Sequence, residues 1–558
     1  LTEATPPVEK RSSATFPHDQ GDAVMLRASP TRRRMLLSAL ELALLASLPR
    51  AAAAAEGAGL RLGEPRPFSF DWLVEHARSL ARREYVPPPR PAPEIVEQID
   101  YDAHGKLRTR PEFALWGRSG GVFPITYVHK GRFFPKTVRL HMVEGGEARE
   151  ILYDRAYFTI PDDHVAAKLP PDASAFAGFW VQESRRVGTW WRREPWVTFS
   201  GASYFRAVGE LGQVGLSARG IAVNVADPTG QPEEFPDFTQ FWFEPCAREG
   251  DPQIVHALLD GPSVAGAYRF VMSRTRAVIM DVSCRLFLRR EVSRLGIAPL
   301  TTMFWFAEHP ARDRFDWRPE VHDSDGLVLW NGAGERLLRP LNNPPRTVAS
   351  SFFDENPKGF GLAQRDRDYA HYLDGVNYHQ RPTAWVEPKG EWGRGVVQLV
   401  EIPTDDEIHD NVVAYWLAER PAVAGDALAY DYRLHWLEFD PFFPIVDLAR
   451  VVATRVSRGG TPGQPRPKGL VKFWIELDGA VLGTIPWGVR PEVVVWASRG
   501  EVSMRRSEPV WHTPRWFGTF DLAVEGRDPI ELRAFLALDG EPISETWLYQ
   551  LHPELLPF

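Results

Sequence analysis

A chain of 558 residues is too long for one ordinary hydrophobic core, so two or more domains are expected. With 44% hydrophobic and 25% charged residues it falls in the globular range, not the disordered one. The net charge of −8 comes from acids and bases mixed along the chain, which excludes the clustered basic face of a nucleic-acid binder.

Two cysteines, Cys246 and Cys284, exclude a disulfide scaffold and a cysteine-based zinc site. Both flank β-like segments, so two buried free thiols are expected. The 20 Trp, 32 Phe and 14 Tyr fit a large β core, with some indoles left over as platforms for sugar rings.

From the N-terminus, Met25 is a plausible start. Thr31-Arg32-Arg33-Arg34-Met35-Leu36-Leu37 has the twin-arginine pattern. The apolar stretch 36–48 is too short to cross a bilayer, for which about 20 residues are needed. Ala51-Ala52-Ala53-Ala54-Ala55 supplies small residues for cleavage. Residues 1–55 therefore read as a cleaved export leader. No later segment is apolar enough to span, so a periplasmic product without stable membrane insertion is expected.

Residues 68–81 predict one short helix, capped by Ser69 or Asp71, with Leu73, Ala77 and Leu80 on one face and the proline run from Pro87 ending it. Beyond it the period is mostly two. Leu428, Tyr430, Tyr432, Leu434 and Trp436 alternate with Ala429, Asp431, Arg433 and His435, the pattern of a half-buried strand. Two more β-rich runs lie between Tyr268 and Val292. The 44 Gly and 49 Pro punctuate the chain, and long helical periodicity is scarce, so the class is all-β, as sandwiches or a barrel.

Asp440-Pro441-Phe442-Phe443-Pro444 breaks the pattern and marks a boundary: a large domain over 56–440, a linker over 441–449 and a smaller β-sandwich over 450–558. Within the latter, Leu477-Asp478-Gly479 and Leu538-Asp539-Gly540 are expected to be hairpin turns, and 458–469 an exposed loop.

Cleavage of a glycosidic bond needs a carboxylic acid at the leaving oxygen and a second group that activates water or attacks the sugar. Thr404-Asp405-Asp406-Glu407-Ile408-His409-Asp410-Asn411 concentrates carboxylates, and like charges and desolvation raise a carboxyl pKa. Asp410 stands just ahead of the strand-like Val412-Val413-Ala414-Tyr415-Trp416. In His322-Asp323-Ser324-Asp325-Gly326, Asp323 and Asp325 point to one side if extended. The competing readings are a solvated acidic turn and an Asx turn. Arg339, Arg381, Glu387 and Lys389 could hold sugar hydroxyls, and Trp385 or Trp392 could stack on a ring; structural salt bridges and core packing compete. Gly117-Arg118-Ser119-Gly120-Gly121 fits the nucleophile-elbow pattern but lacks its strand–turn–helix context.

Several long islands resemble the periplasmic glucan biosynthesis proteins G and D, the D type more because of the twin-arginine leader. They include Gly201-Ala202-Ser203-Tyr204-Phe205-Arg206-Ala207, Glu234-Phe235-Pro236-Asp237-Phe238, His322-Asp323-Ser324-Asp325, Arg339-Pro340-Leu341-Asn342-Asn343-Pro344, Lys389-Gly390-Glu391-Trp392-Gly393, Glu401-Ile402-Pro403-Thr404 and Ser544-Glu545-Thr546-Trp547. The resemblance runs over about 68–551. It implies a galactose-mutarotase-like N-terminal sandwich and an immunoglobulin-like C-terminal one. It further implies action on β-1,2-glucan by inversion, with no metal and no cofactor. Asp410 matches the general acid, Asp323 the base acting indirectly on water, and Glu407 and Tyr378 match cleft-lining positions. It admits a homodimer. The loop 458–469 is shorter than in relatives and lacks their aromatic residue, which opens a transglycosylase alternative; a non-catalytic glucan-binding factor is the third reading.

Overall fold

The computed structural model describes residues 59–557, except 172, 193, 309–315 and 442–447. The expected leader, and most of the expected linker, lie outside the described residues. Ala55–Phe558 forms one compact unit.

The protein is all-β. Ten strands form the sheet that carries the site: β1 (Ile125–His129), β2 (Phe176–Gln182), β3 (Pro195–Ser200), β4 (Tyr204–Ala207), β5 (Ser217–Arg219), β6 (Ile221–Val223), β7 (Leu295–Thr302), β8 (Val348–Glu355), β9 (Arg394–Glu401) and β10 (Val412–Ala418). Their order is β8-β9-β10-β7-β5-β4-β3-β2-β1, with β6 also paired to β7. A sixteen-stranded sheet includes Asp237–Glu244, Val264–Arg274, Val278–Leu288 and Ala427–Leu437.

The two sheets pack face to face through aromatic side chains on alternate residues. Phe179 of β2 meets Phe241 edge-on at 4.8 Å, and Phe199 of β3 and Phe205 of β4 meet Phe270 at 5.1 and 5.2 Å. Burying one such ring contributes about 1.5–3 kcal/mol. Because strand side chains alternate, Phe205 points into this core while Tyr204 and Arg206 share the opposite face. That face is where the site lies.

Residues 450–557 build a second core around Val471, Phe473, Phe520 and Trp547. Val328, Leu338, Ala363 and Trp385 from the preceding part of the chain join the same cluster. Thr546–Leu551 also pairs in parallel with Arg336–Pro340, with Leu338 opposite Trp547. The two cores are thus linked by a continuous sheet.

The helix α1 spans Phe70–Ala81, and Ser69 caps it by accepting a hydrogen bond from the Trp72 amide at 3.1 Å. It ends at Arg82, before the prolines, where the Arg83 amide folds back onto the Leu80 carbonyl. The strand over Ala427–Leu437 and both runs after Tyr268 form as expected. Asp539 and Gly540, both at positive φ, make the two-residue turn between Leu538 and its partner Glu541. The other expected hairpin does not form. Asp478-Gly479 leads instead into a 3-10 turn over Ala480–Thr484, because Gly479 packs on the Ala449 backbone, where an added Cβ would lie 2.7 Å from Cα. Residues 461–468 are exposed, but Arg458 still belongs to the strand Arg450–Arg458 and Gly459 and Gly460 are buried, so the exposed loop is shorter than expected. Two short helices, Pro93–Val96 and Tyr101–Lys106, had no signal in the apolar period. Cys246 and Cys284 are free and buried. No helix among the described residues is long and apolar enough to cross a membrane.

Candidate functional site

Sheet register brings the functional segments together. Arg219 lies opposite Tyr204, Ser217 opposite Thr301, and Thr302 opposite Val412. Strands β4, β5, β7 and β10 therefore place Arg206, Ser217 and the entry to β10 side by side. Asp410 is two residues before β10.

Two asparagines fix the acidic loop. The buried Asn411 side chain accepts from the Phe304 amide at 2.8 Å and donates to the carbonyls of Phe304 and Ile402 at 3.0 and 2.9 Å. Asn343 accepts from the Thr404 amide at 3.0 Å and donates to the Thr404 and Trp305 carbonyls. These bonds satisfy backbone groups that a loop would otherwise leave bare, and they hold Asp410 on a rigid base.

Asp410 meets Arg206, whose Nη2 is 3.4 Å from Oδ2. Arg206 is itself held by its Nε–H donating to Ser217 Oγ at 2.6 Å. Asp323 follows the short strand Val321–His322, and its amide donates to the Met303 carbonyl at 2.9 Å. Its side chain is only 13% exposed, and burial raises its pKa; Arg381 opposes the rise and the charge of Asp410 adds to it. Arg381 Nε lies 3.0 Å from Asp323 Oδ1, yet neither atom makes a hydrogen bond, because the N–H is not aimed at the oxygen. That oxygen is sealed from solvent against Arg381, so the exposure the side chain keeps lies away from it.

Tyr378 extends the cluster. The Arg381 guanidinium lies over its ring at 5.4 Å, and its hydroxyl donates to Glu407 Oε2 at 3.0 Å. Burial, then the Glu407 charge, pushes the phenol pKa up, so it stays a donor. Arg318 donates to the same Glu407 oxygen at 2.6 Å and to Asp374 at 2.7 Å. Behind Asp323, His322 bonds Glu320 at 2.8 Å and Gln364 at 3.0 Å. Burial alone would lower the His322 pKa, but the bond to Glu320 and nearby acidic charge outweigh it and raise it to about 9.

The structure therefore brings together Asp410, Asp323, Glu407, Tyr378 and Arg381. It places the other candidate residues elsewhere. Asp325 accepts from the amides of Arg365 and Asp366 at 2.5 and 2.8 Å. Arg339 is buried against Glu401 at 3.0 Å. Trp385 lies in the C-terminal core, and Trp392 packs edge-on against Tyr430 at 5.4 Å. Glu387 pairs with Lys389 at 2.6 Å and His435 at 2.9 Å. The indoles beside the cluster are Trp305 and Trp317, 6.0 and 5.0 Å from the Arg318 guanidinium, and Trp317 is 72% exposed. Sequence reasoning missed Arg206, Arg318 and these two tryptophans. The Tyr204–Arg206 alternation in a strand was the available signal for the first.

A hollow of about 780 Å³, lined by Trp392, Tyr430, Arg394 and Arg420, lies elsewhere.

These features define an all-β sandwich protein with two carboxylates, each faced by an arginine, in an aromatic-flanked site at one end of a sheet. The family model described as "Periplasmic glucan biosynthesis protein, MdoG" matches residues 68–551, and the chain belongs to that family. Membership ties it to glucan biosynthesis in the periplasm. It is 52% identical over 529 residues to glucans biosynthesis protein D 2 of Ralstonia nicotianae, covering 94% of this chain and 98% of the relative. It is 43% identical over 515 residues to glucans biosynthesis protein D of Stenotrophomonas maltophilia, covering 91% and 95%. The protein D of Xanthomonas campestris is 41% identical with the same coverage.

Proposed function

We propose that the protein is an enzyme that cleaves β-1,2-linked glucan with inversion, Asp410 protonating the leaving oxygen and Asp323 accepting the proton released by the attacking water. What carries this reading is that Arg206 meets Asp410 at 3.4 Å and Arg381 meets Asp323 at 3.0 Å, with the Asp410 charge felt at the desolvated Asp323. A desolvated carboxylate whose pKa is raised is suited to accept a proton. Arg206 touches Asp410 and also lowers the Asp323 pKa, so it stabilises whichever carboxylate is charged at each stage. Tyr378 and Glu407 supply a donor and an acceptor for sugar hydroxyls. Residues 1–55 act as a twin-arginine export signal in this reading.

A second reading is transfer to a sugar hydroxyl in place of water, which would cyclise or re-join the chain. It rests on the short loop after Arg458, which is tied to its own sandwich, Gly460 donating to Asp521 at 2.7 Å and Arg466 to the Arg458 carbonyl at 3.1 Å.

The test is to incubate the mature protein with linear β-1,2-glucan and follow product masses and reducing ends. Hydrolysis raises the number of reducing ends; cyclisation removes them. Binding with no change in chain length would overturn both readings in favour of a non-catalytic factor.

A further inference from the structure

Two loops project from one end of the C-terminal sandwich, and each carries a bare indole. Trp487, between the strands Leu470–Asp478 and Glu492–Ala497, is 97% exposed. Trp511, between Glu501–Pro509 and Trp516–Ala523, is 84% exposed. An indole is a large apolar body, so two left in water side by side mark a surface that something else covers.

Sheet register and hydrogen bonds place the two tips together. Leu477 and Pro509 both lie opposite Trp516, so both loops leave the sheet at the same end. Arg490, at the base of the first loop, donates to Glu508 at 3.0 Å and lies over the Trp516 ring at 5.8 Å. Ser507 donates to the Pro491 carbonyl at 2.6 Å. The second loop is closed on itself, the Val510 amide donating to the Arg515 carbonyl at 2.8 Å and the Thr513 hydroxyl to the Val510 carbonyl at 3.0 Å. The indoles are thus held out in advance, which lowers the ordering cost of a contact.

Charge says what kind of surface fits. Neither loop, over 479–491 and 509–516, contains an Asp or Glu; they carry Arg490, Arg515 and His512. Behind the tips, Glu476 is shared by Arg455 and Arg515 at 2.9 Å each, and Glu508 takes Arg490, so three guanidiniums share two carboxylates. Arg506, over the Phe517 ring at 5.8 Å, adds a cation beside them. Asp478 and Glu492 end and begin the flanking strands, below the loops. Aromatic tips above a ring of arginines complement a layer with anionic headgroups outside and hydrocarbon beneath. Area argues the same way. Two indoles bury about 300–500 Å², well short of the roughly 800 Å² per partner in a stable protein interface, whereas a bilayer sets no such minimum.

We propose that these two tips seat the protein reversibly on an anionic bilayer surface. Trp487 and Trp511 enter the headgroup layer, and Arg490, Arg506 and Arg515 meet lipid phosphates. The inference does not depend on the glucan reading and adds a second site to the molecule, in the other sandwich.

The experiment is co-sedimentation of the full mature chain with vesicles of phosphatidylethanolamine and phosphatidylglycerol, and with vesicles of phosphatidylcholine alone. Binding to the anionic vesicles is expected to exceed binding to the neutral ones about tenfold, and to weaken between about 0.05 M and about 0.5 M salt. Trp487→Ala and Trp511→Ala are each expected to lower it about tenfold, and the pair about a hundredfold. Trp496→Ala removes another exposed indole, on a strand of the same sandwich, and is expected to change nothing. The single variants keep the test open should the double one fail to fold. No sedimentation of the wild type, equal binding to both vesicle types, undiminished binding by the tip variants, or an equal loss with Trp496→Ala would each overturn the inference. Loss of self-association in the tip variants with no lipid present would assign the tips to a second copy of the chain and overturn it too.

Discussion

Asp323 and Glu401 are two desolvated carboxylates, each facing an arginine, and burial raises the pKa of both. They are finished differently. Glu401 Oε2 accepts from Arg339 at 3.0 Å and Oε1 from the Asn342 amide at 2.6 Å, so both oxygens are bonded inside the protein. Asp323 Oδ1 stands 3.0 Å from Arg381 Nε without a hydrogen bond. A buried carboxylate with both oxygens satisfied holds strands together. One held only by a poorly aimed ion pair is less tightly committed and changes its protonation at lower cost.

This contrast can be broken in several ways. The largest expected effect is Asp323→Asn, which removes the proposed base and keeps the shape. Turnover of linear β-1,2-glucan is expected to drop about a thousandfold while the thermal melt stays close to wild type. Arg339→Met should do the reverse. It strands Glu401 in the core and is expected to cost about 3–5 kcal/mol in denaturant unfolding, with chemistry per folded molecule retained.

Arg381→Met sharpens the comparison. Burial and the Asp410 charge raise the Asp323 pKa, while Arg381 holds it down. If Asp323 must be ionised to accept a proton, activity rises with pH through that pKa. Removing Arg381 is expected to move the acid limb of the rate profile to higher pH, and an unmoved limb would separate Asp323 from the base role.

The smallest effect is on stability. Burial, then the Glu320 charge, raises the Glu308 pKa to about 8, and its carboxyl accepts from the Thr454 amide at 2.9 Å. The folded state thus holds a proton that the unfolded state gives up near the ordinary carboxylate value. Stability is lost as pH rises from there through about 8. His322, raised to about 9, contributes stability below its ordinary pKa that is likewise lost as pH rises through about 9. Both slopes have one sign, so the melting temperature is expected to fall by a few degrees toward alkaline pH. Glu308→Gln should flatten the lower part of that fall.

Local structure was legible where one signal decided it. Ser69 capped the helix, alternation set the strand over Ala427–Leu437, and Asp539-Gly540 had the residues a two-residue turn demands. Asp478-Gly479 carried the same dipeptide but obeyed a tertiary contact with Ala449. The site was half legible. Acids near strand entries pointed to Asp410 and Asp323, but Arg206 reaches Asp410 across 204 positions of sequence. No local pattern encodes that contact. The tryptophans show a similar limit. Sequence reasoning singles out Trp385 as a stacking face and not Trp317; Gly359 leaves room for the Trp385 ring, where an added Cβ would come within 2.3 Å of it, while Trp317 is 72% exposed.

The most direct measurement is the chain-length distribution of linear β-1,2-glucan after incubation with the mature protein and with its Asp410→Asn variant, folded equally by thermal melt. The expected result is a changed distribution with the wild type and an unchanged one with the variant. Equal redistribution by both would contradict the assignment of Asp410 as the proton donor.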